Sequence, residues 1–163
     1  VHTCVLRPKS IGELRLNAQR ELEIDFNFLA DMDDARVLIE GLKLARRILA
    51  ERGFDGLRGK EMLPGAEVQT DAQLLAYIRE HGATVFHPVG TCKMGVDALS
   101  AVNPQLQVIG LEGLRVADAS IMPTLISGNT NAPCIMIGEK AAELILRQSA
   151  RPRAAAVRTE AVS

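Results

Sequence analysis

Tryptophan is absent from the 163 residues, tyrosine occurs once and phenylalanine four times. So few aromatic rings disfavour a surface that stacks nucleic-acid bases. Neither sign of charge is in excess: 19 Lys and Arg stand against 20 Asp and Glu, for a net charge of −1. That balance argues against nucleic acid or an anionic membrane surface as a partner. No apolar run approaches the roughly 20 residues of a membrane span. The N-terminus lacks a basic stretch followed by an apolar one, the mark of a secretory leader, so a cytoplasmic location is expected. Cys4, Cys92 and Cys134 are widely spaced and form no CxxC pair. Reduced thiols are therefore expected, with neither a disulfide framework nor a metal site. A glycine-rich GxGxxG dinucleotide loop is also missing, since Gly110-Leu111-Glu112-Gly113 lacks that spacing. The chain opens on Val1 in what reads as mid-sheet, which is expected of a fragment or a processed chain.

What is present suits a packed core. Hydrophobic residues make up 47% of the chain, enough for one ordinary domain. Residues 3–8 and 11–16 read as two short strands around Pro8-Lys9-Ser10, with Leu14 and Leu16 alternating with Arg15 to give one buried face. Residues 25–34 read as an acidic loop leading into a helix that Asp33 or Asp34 would cap. From Val37 to Ala50, Leu38, Leu42, Ala45 and Leu49 recur at helical spacing, and Gly53 is the expected stop. Thr70-Asp71-Ala72-Gln73 has the form of a capping box and predicts a helix to His81, ended by Gly82. Residues 105–109 and 114–117 read as strands. Pro133 suits the first turn of a helix to Arg147, whose apolar residues predict a buried element. Residues 150–163 read as a disordered tail.

Two polar turns carry the chemistry. In Phe86-His87-Pro88-Val89-Gly90-Thr91-Cys92-Lys93-Met94-Gly95, Pro88 biases His87 towards extended backbone. Gly90 and Gly95 allow backbone geometry or close approaches that a Cβ would block. An imidazole titrating near neutral pH suits proton transfer. In Ser127-Gly128-Asn129-Thr130-Asn131-Ala132-Pro133, Asn129 offers a donor and an acceptor that can hold a hydroxyl beside that histidine. Asn131, Ala132 and Pro133 open a helix whose first N–H groups favour an electron-rich ligand edge. A cysteine hydrolase built on Cys92 or Cys134 with His87 and Asn129 is disfavoured, because neither thiol follows a helix-start nucleophile motif.

The run from His87 to Gly95, then Val102-Asn103-Pro104, then Gly113 to Pro123, then Gly128 to Pro133 resembles the C-terminal part of the glucose-methanol-choline (GMC) flavin oxidoreductases. The likeness is greatest to the choline-dehydrogenase-like alcohol dehydrogenases. Leu6-Arg7-Pro8-Lys9-Ser10-Ile11-Gly12 and Asp25-Phe26-Asn27-Phe28-Leu29 add to it, and the match covers roughly residues 4 to 147. The resemblance implies FAD as cofactor and oxidation of an alcohol to an aldehyde or ketone, with hydride going to the flavin and the hydroxyl proton to His87. It implies catalytic roles for His87 and Asn129, and places Asp118, Ala119, Asn131, Ala132 and Pro133 by the cofactor. The expected fold is α+β: a partial antiparallel sheet with helices over residues 1–86, as part of a substrate-binding domain. Residues 87–149 would carry the catalytic motif and a strand and helix completing a FAD-binding domain. Expected partners are a small-molecule alcohol and the N-terminal FAD-binding portion of the same enzyme. The alternative is a substrate-domain fragment or interaction module that catalyses nothing by itself.

Overall fold

The computed structural model describes residues 1–149, so the expected tail at 150–163 lies outside the described residues. Its regular elements are a two-stranded antiparallel sheet and three α-helices. The chain forms two compact units. The first comprises Val1–Thr91 with Thr124–Asn129; the second comprises Cys92–Pro123 and the described residues from Thr130 onward.

In the first unit, β1 (Glu13–Leu16) pairs with β2 (Leu22–Asp25), Leu14 opposite Ile24 and Leu16 opposite Leu22. The turn between them is held by Asn17, whose side chain accepts from the amides of Gln19 and Glu21. This differs from the strand expected over residues 3–8. Within that segment Thr3 lies against Gly41 of the first helix, and just after it the amides of Lys9 and Ser10 bond Asp34 rather than a strand. The buried face expected at Leu14 and Leu16 is exposed in the described chain, because no further layer of described residues covers the hairpin.

Helix α1 (Met32–Leu49) starts earlier than its apolar period suggests. Asp31 is its N-cap and accepts from the Asp33 amide at 2.8 Å, while Asp33 and Asp34 sit in the first turn. Three acids compete for the cap, and Asp34 is claimed elsewhere: buried, it accepts from the amides of Lys9 and Ser10 and from the Ser10 hydroxyl. The helix ends at Ala50 in a right-handed conformation, and Gly53 lies within a short 3-10 turn, Arg52–Phe54, rather than terminating α1. Helix α2 (Asp71–His81) carries both halves of the capping box between Thr70 and Gln73 and ends at Gly82. The two helices pack through Ile39, Leu74 and Ile78, with Leu38, Leu42 and Leu75 around them.

The second unit folds around Val102, Leu106, Ile121, Met122, Ile137 and Ala141, all buried. Its helix α3 (Asn131–Ser149) begins two residues before Pro133. The strands expected at 105–109 and 114–117 form only isolated bridges, Val102 to Val108 and Gln107 to Arg115. Leu106 is left-handed (φ 64°), which breaks the extended run, and left-handed Gly110 and Gly113 turn the chain back between the bridges. Helix α3 was expected to be buried, but only one stripe is: Ile137 and Ala141 face the core, while Ile135, Met136 and Leu146 are exposed. No described helix is long and apolar enough to cross a membrane.

Candidate active site

His87 lies in a non-regular segment of the first unit, half-buried. Two left-handed residues bracket it, Phe86 (φ 61°) and Gly90 (φ 91°). Glycine adopts that region freely, so Gly90 meets the expectation set by the sequence. An aromatic residue there is uncommon and strained. The Phe86 amide donates to Thr84 Oγ1 at 3.0 Å. Gly95 serves its other expected purpose: a Cβ there would stand 2.4 Å from Ser100 Oγ.

From Cys92 to Gly95 the run belongs to the architecture of the second unit. Cys92 and Met94 amides donate to the carbonyls of Ser120 and Ile121, and Gly95 donates to Val102. Lys93 pairs with Asp97 at 2.9 Å and accepts the Ala101 amide on its carbonyl. The Lys93 ammonium, aided by the Leu99 amide, holds the Asp97 carboxyl below its ordinary range. Asn103 is likewise structural: its side-chain oxygen accepts from the amides of Gln105 and Gln107.

Asn129 is exposed and lies in the same unit as His87, on the segment Thr124–Asn129. That segment is tied down by Arg7, whose Nε donates to Ser127 Oγ at 2.6 Å across 120 residues of sequence. Arg7 is itself followed by the Lys9-Ser10 backbone that Asp34 grips. Burial pushes the Asp34 carboxyl up, but the Ser10 hydroxyl and the amides of Lys9 and Ser10 outweigh it, so its pKa stays below the ordinary 3.8. Arg7 and Asp34 are supporting residues whose roles the sequence pattern did not show, Asp34 being expected only as a helix cap. An arginine before a proline, and one acid among three, look alike whether or not they bind anything.

The five residues expected near a cofactor all fall in the second unit. Asp118 caps the 3-10 turn Ala119–Ile121, accepting the Ser120 amide at 2.7 Å, and that turn packs against α3. Asn131 and Ala132 are exposed at the start of α3, and the first turn holds no acidic residue. The Cys134 amide bonds Thr130 O at 3.0 Å. An acid-free helix start, with the positive end of the helix dipole, suits the electron-rich edge of a bound cofactor. All three cysteines are free, and the described residues hold no cluster suited to a metal ion.

These features coincide with a family assignment. The family model for GMC oxidoreductase matches residues 8–138, and the chain belongs to that family. It is 46% identical over 151 residues to an alcohol dehydrogenase [acceptor] from Pseudomonas putida, covering 91% of this chain and 27% of that protein. It is 44% identical over 158 residues to an oxygen-dependent choline dehydrogenase from Escherichia coli, covering 95% of this chain and 28% of that protein. The chain thus spans little more than a quarter of the length of these curated relatives. Among solved structures, pyridoxine 4-oxidase from Mesorbium loti superposes with a TM-score of 0.80 at 32% identity, over 87% of this chain and 28% of that one. An Aspergillus oryzae formate oxidase, studied for its FAD modification, superposes at 0.79 with 29% identity, over 88% of this chain and 26% of that one.

Proposed function

We propose that the chain forms the substrate-side C-terminal part of an FAD-dependent oxidoreductase that converts an alcohol to an aldehyde or ketone. The observation that carries this reading is the presence in one unit of a half-buried histidine, next to a strained left-handed residue, and of an exposed asparagine on a loop pinned by Arg7. Both residues occur in a chain 46% identical to an alcohol dehydrogenase. His87 accepts the hydroxyl proton of the substrate on its imidazole. A positioned base of this kind contributes about 10²–10⁴-fold. Asn129 holds the substrate oxygen by donating its amide N–H. FAD, when bound, supplies the acceptor for the substrate's hydride, chemistry that no side chain offers. Asp118, Ala119, Asn131, Ala132 and Pro133 are the residues of this chain that hold it, and the start of α3 favours negative charge there. The N-terminal, dinucleotide-binding portion of the same enzyme is the macromolecular partner, since no GxGxxG loop occurs in these residues.

The test is a visible spectrum of the purified full-length protein, followed by anaerobic addition of choline or a simple primary alcohol. Flavin absorbance that bleaches on mixing supports the reading. A second reading, a non-catalytic module, draws on the same missing loop; a colourless full-length protein that turns over no alcohol would favour it.

A further inference from the structure

We propose that one side of the β1–β2 hairpin is a surface on which the N-terminal portion of the full-length enzyme packs. The proposal rests on the reading of this chain as the C-terminal part of such an enzyme, and it names the surface that part offers. The pairing register sets the two sides. Leu14 stands opposite Ile24 and Leu16 opposite Leu22, so these four side chains project from one side of the sheet. Glu13 opposite Asp25 and Arg15 opposite Glu23 project from the other. The charged side pairs within itself: Arg15 donates to Glu13 at 2.9 Å and to Glu23 at 2.7 Å. The apolar side has no such partner, and its residues are exposed, from 48% at Leu14 to 64% at Leu16. Phe26 follows two residues after Ile24, and Phe28 stacks on it with ring centroids 5.1 Å apart; both rings are exposed. The Gly12 backbone closes on Asp25 and Phe26, where a Cβ would stand 2.1 Å from the Asp25 carbonyl oxygen. That close approach carries the strand contact one position past the ladder and ties Phe26 to the hairpin.

Two strands with an open apolar side are marginal in water and need further strands or a packed layer to persist. Alternation of this kind marks a sheet with one side on a core and the other in water. No further layer of described residues supplies that core. The chain covers 27% and 28% of its two curated relatives, so an enzyme of their length holds most of its residues outside this stretch. A layer from the same polypeptide meets the hairpin at high effective concentration and covers it in every folded molecule. A second copy would leave the apolar side open in each free protomer, a patch that soluble monomers rarely carry. The ladder residues on this side bear no charge, so the layer that fits them is itself apolar.

The experiment is photochemical carbene labelling of the full-length protein, read residue by residue by mass spectrometry, with the oligomeric state taken from light scattering. Leu14, Leu16, Leu22 and Ile24 are expected to be protected, while Glu13 and Arg15 on the other side of the same strand are labelled. Equal labelling of the two sides would overturn the proposal. Leu16→Asp places a charge in the covered side and should lower the melting temperature with the oligomeric state unchanged. Arg15→Ala should leave the melting temperature nearly as it was, because an exposed ion pair contributes little. If Leu16→Asp instead turns an oligomer into a monomer that melts at the wild-type temperature, the occupant is a second copy and the proposal falls. If Leu16→Asp fails to fold, labelling of the wild type decides alone. The broader reading fails separately: a protected apolar side in a full-length protein that binds no flavin keeps this surface and removes the proposed function. A labelled apolar side in an active flavoenzyme does the reverse.

Discussion

Replacing Asp34 with alanine should release the N-terminal segment that supports the Asn129 loop. The carboxylate accepts the Lys9 amide at 2.9 Å, the Ser10 amide at 2.9 Å and the Ser10 hydroxyl at 2.6 Å. The same hydroxyl accepts the Asp31 amide, so the clamp also braces the start of α1. Lys9 is exposed, and water can take over its amide. The two Ser10 bonds are partly buried, and bonds to a charged acceptor contribute about 1.5–3 kcal/mol each, so the loss should be about 3–6 kcal/mol. Asp34→Asn keeps the shape and one acceptor and should lose about half as much. The sign with pH follows from the depressed pKa. The stabilisation is fully present above 3.8, the carboxyl's ordinary value, and is lost as pH falls below it through the folded value. Urea unfolding of the FAD-loaded protein, with amide exchange of residues 5–12 as the local readout, measures both effects. A loss below about 1 kcal/mol, with unchanged exchange at Lys9 and Ser10, would refute the idea that this carboxylate holds the segment.

Three further outcomes are expected. Arg7→Ala removes the bond to Ser127 and should lower kcat about fivefold, the effect of one ordinary hydrogen bond; in a Ser127→Ala background it should add nothing, which a double-mutant cycle checks. Gly90→Ala forces a Cβ into the left-handed region and should destabilise the His87 turn by about 1–2 kcal/mol, with a matching fall in kcat/KM measured by steady-state kinetics. Asn129→Ala should cost about tenfold in kcat, less than loss of His87, and unchanged kcat and KM would make Asn129 structural.

The parts of the fold legible in the sequence are those fixed by neighbouring residues. Thr70 and Gln73 cap each other across one helical turn, and α2 begins and ends where that pattern and Gly82 place it. Helix α1 was visible in its apolar period, but its start was not, because the choice among Asp31, Asp33 and Asp34 is made by a backbone more than 20 residues away. Strand β2 had no sequence assignment although Leu22 and Ile24 alternate with Glu21 and Glu23, since four residues are a weak period without their partner β1. For the candidate site, Gly90 announced its geometry because only glycine takes it without cost. Phe86 gave no such signal: a bulky side chain is rare at positive φ, and its left-handed backbone is visible only in three dimensions.

The most direct test is the turnover of His87→Ala in the full-length protein with its flavin spectrum recorded beside it. A kcat lowered about 10²–10⁴-fold with FAD still bound is the result predicted for a histidine that takes the substrate's proton. Full turnover with FAD in place would contradict the assignment.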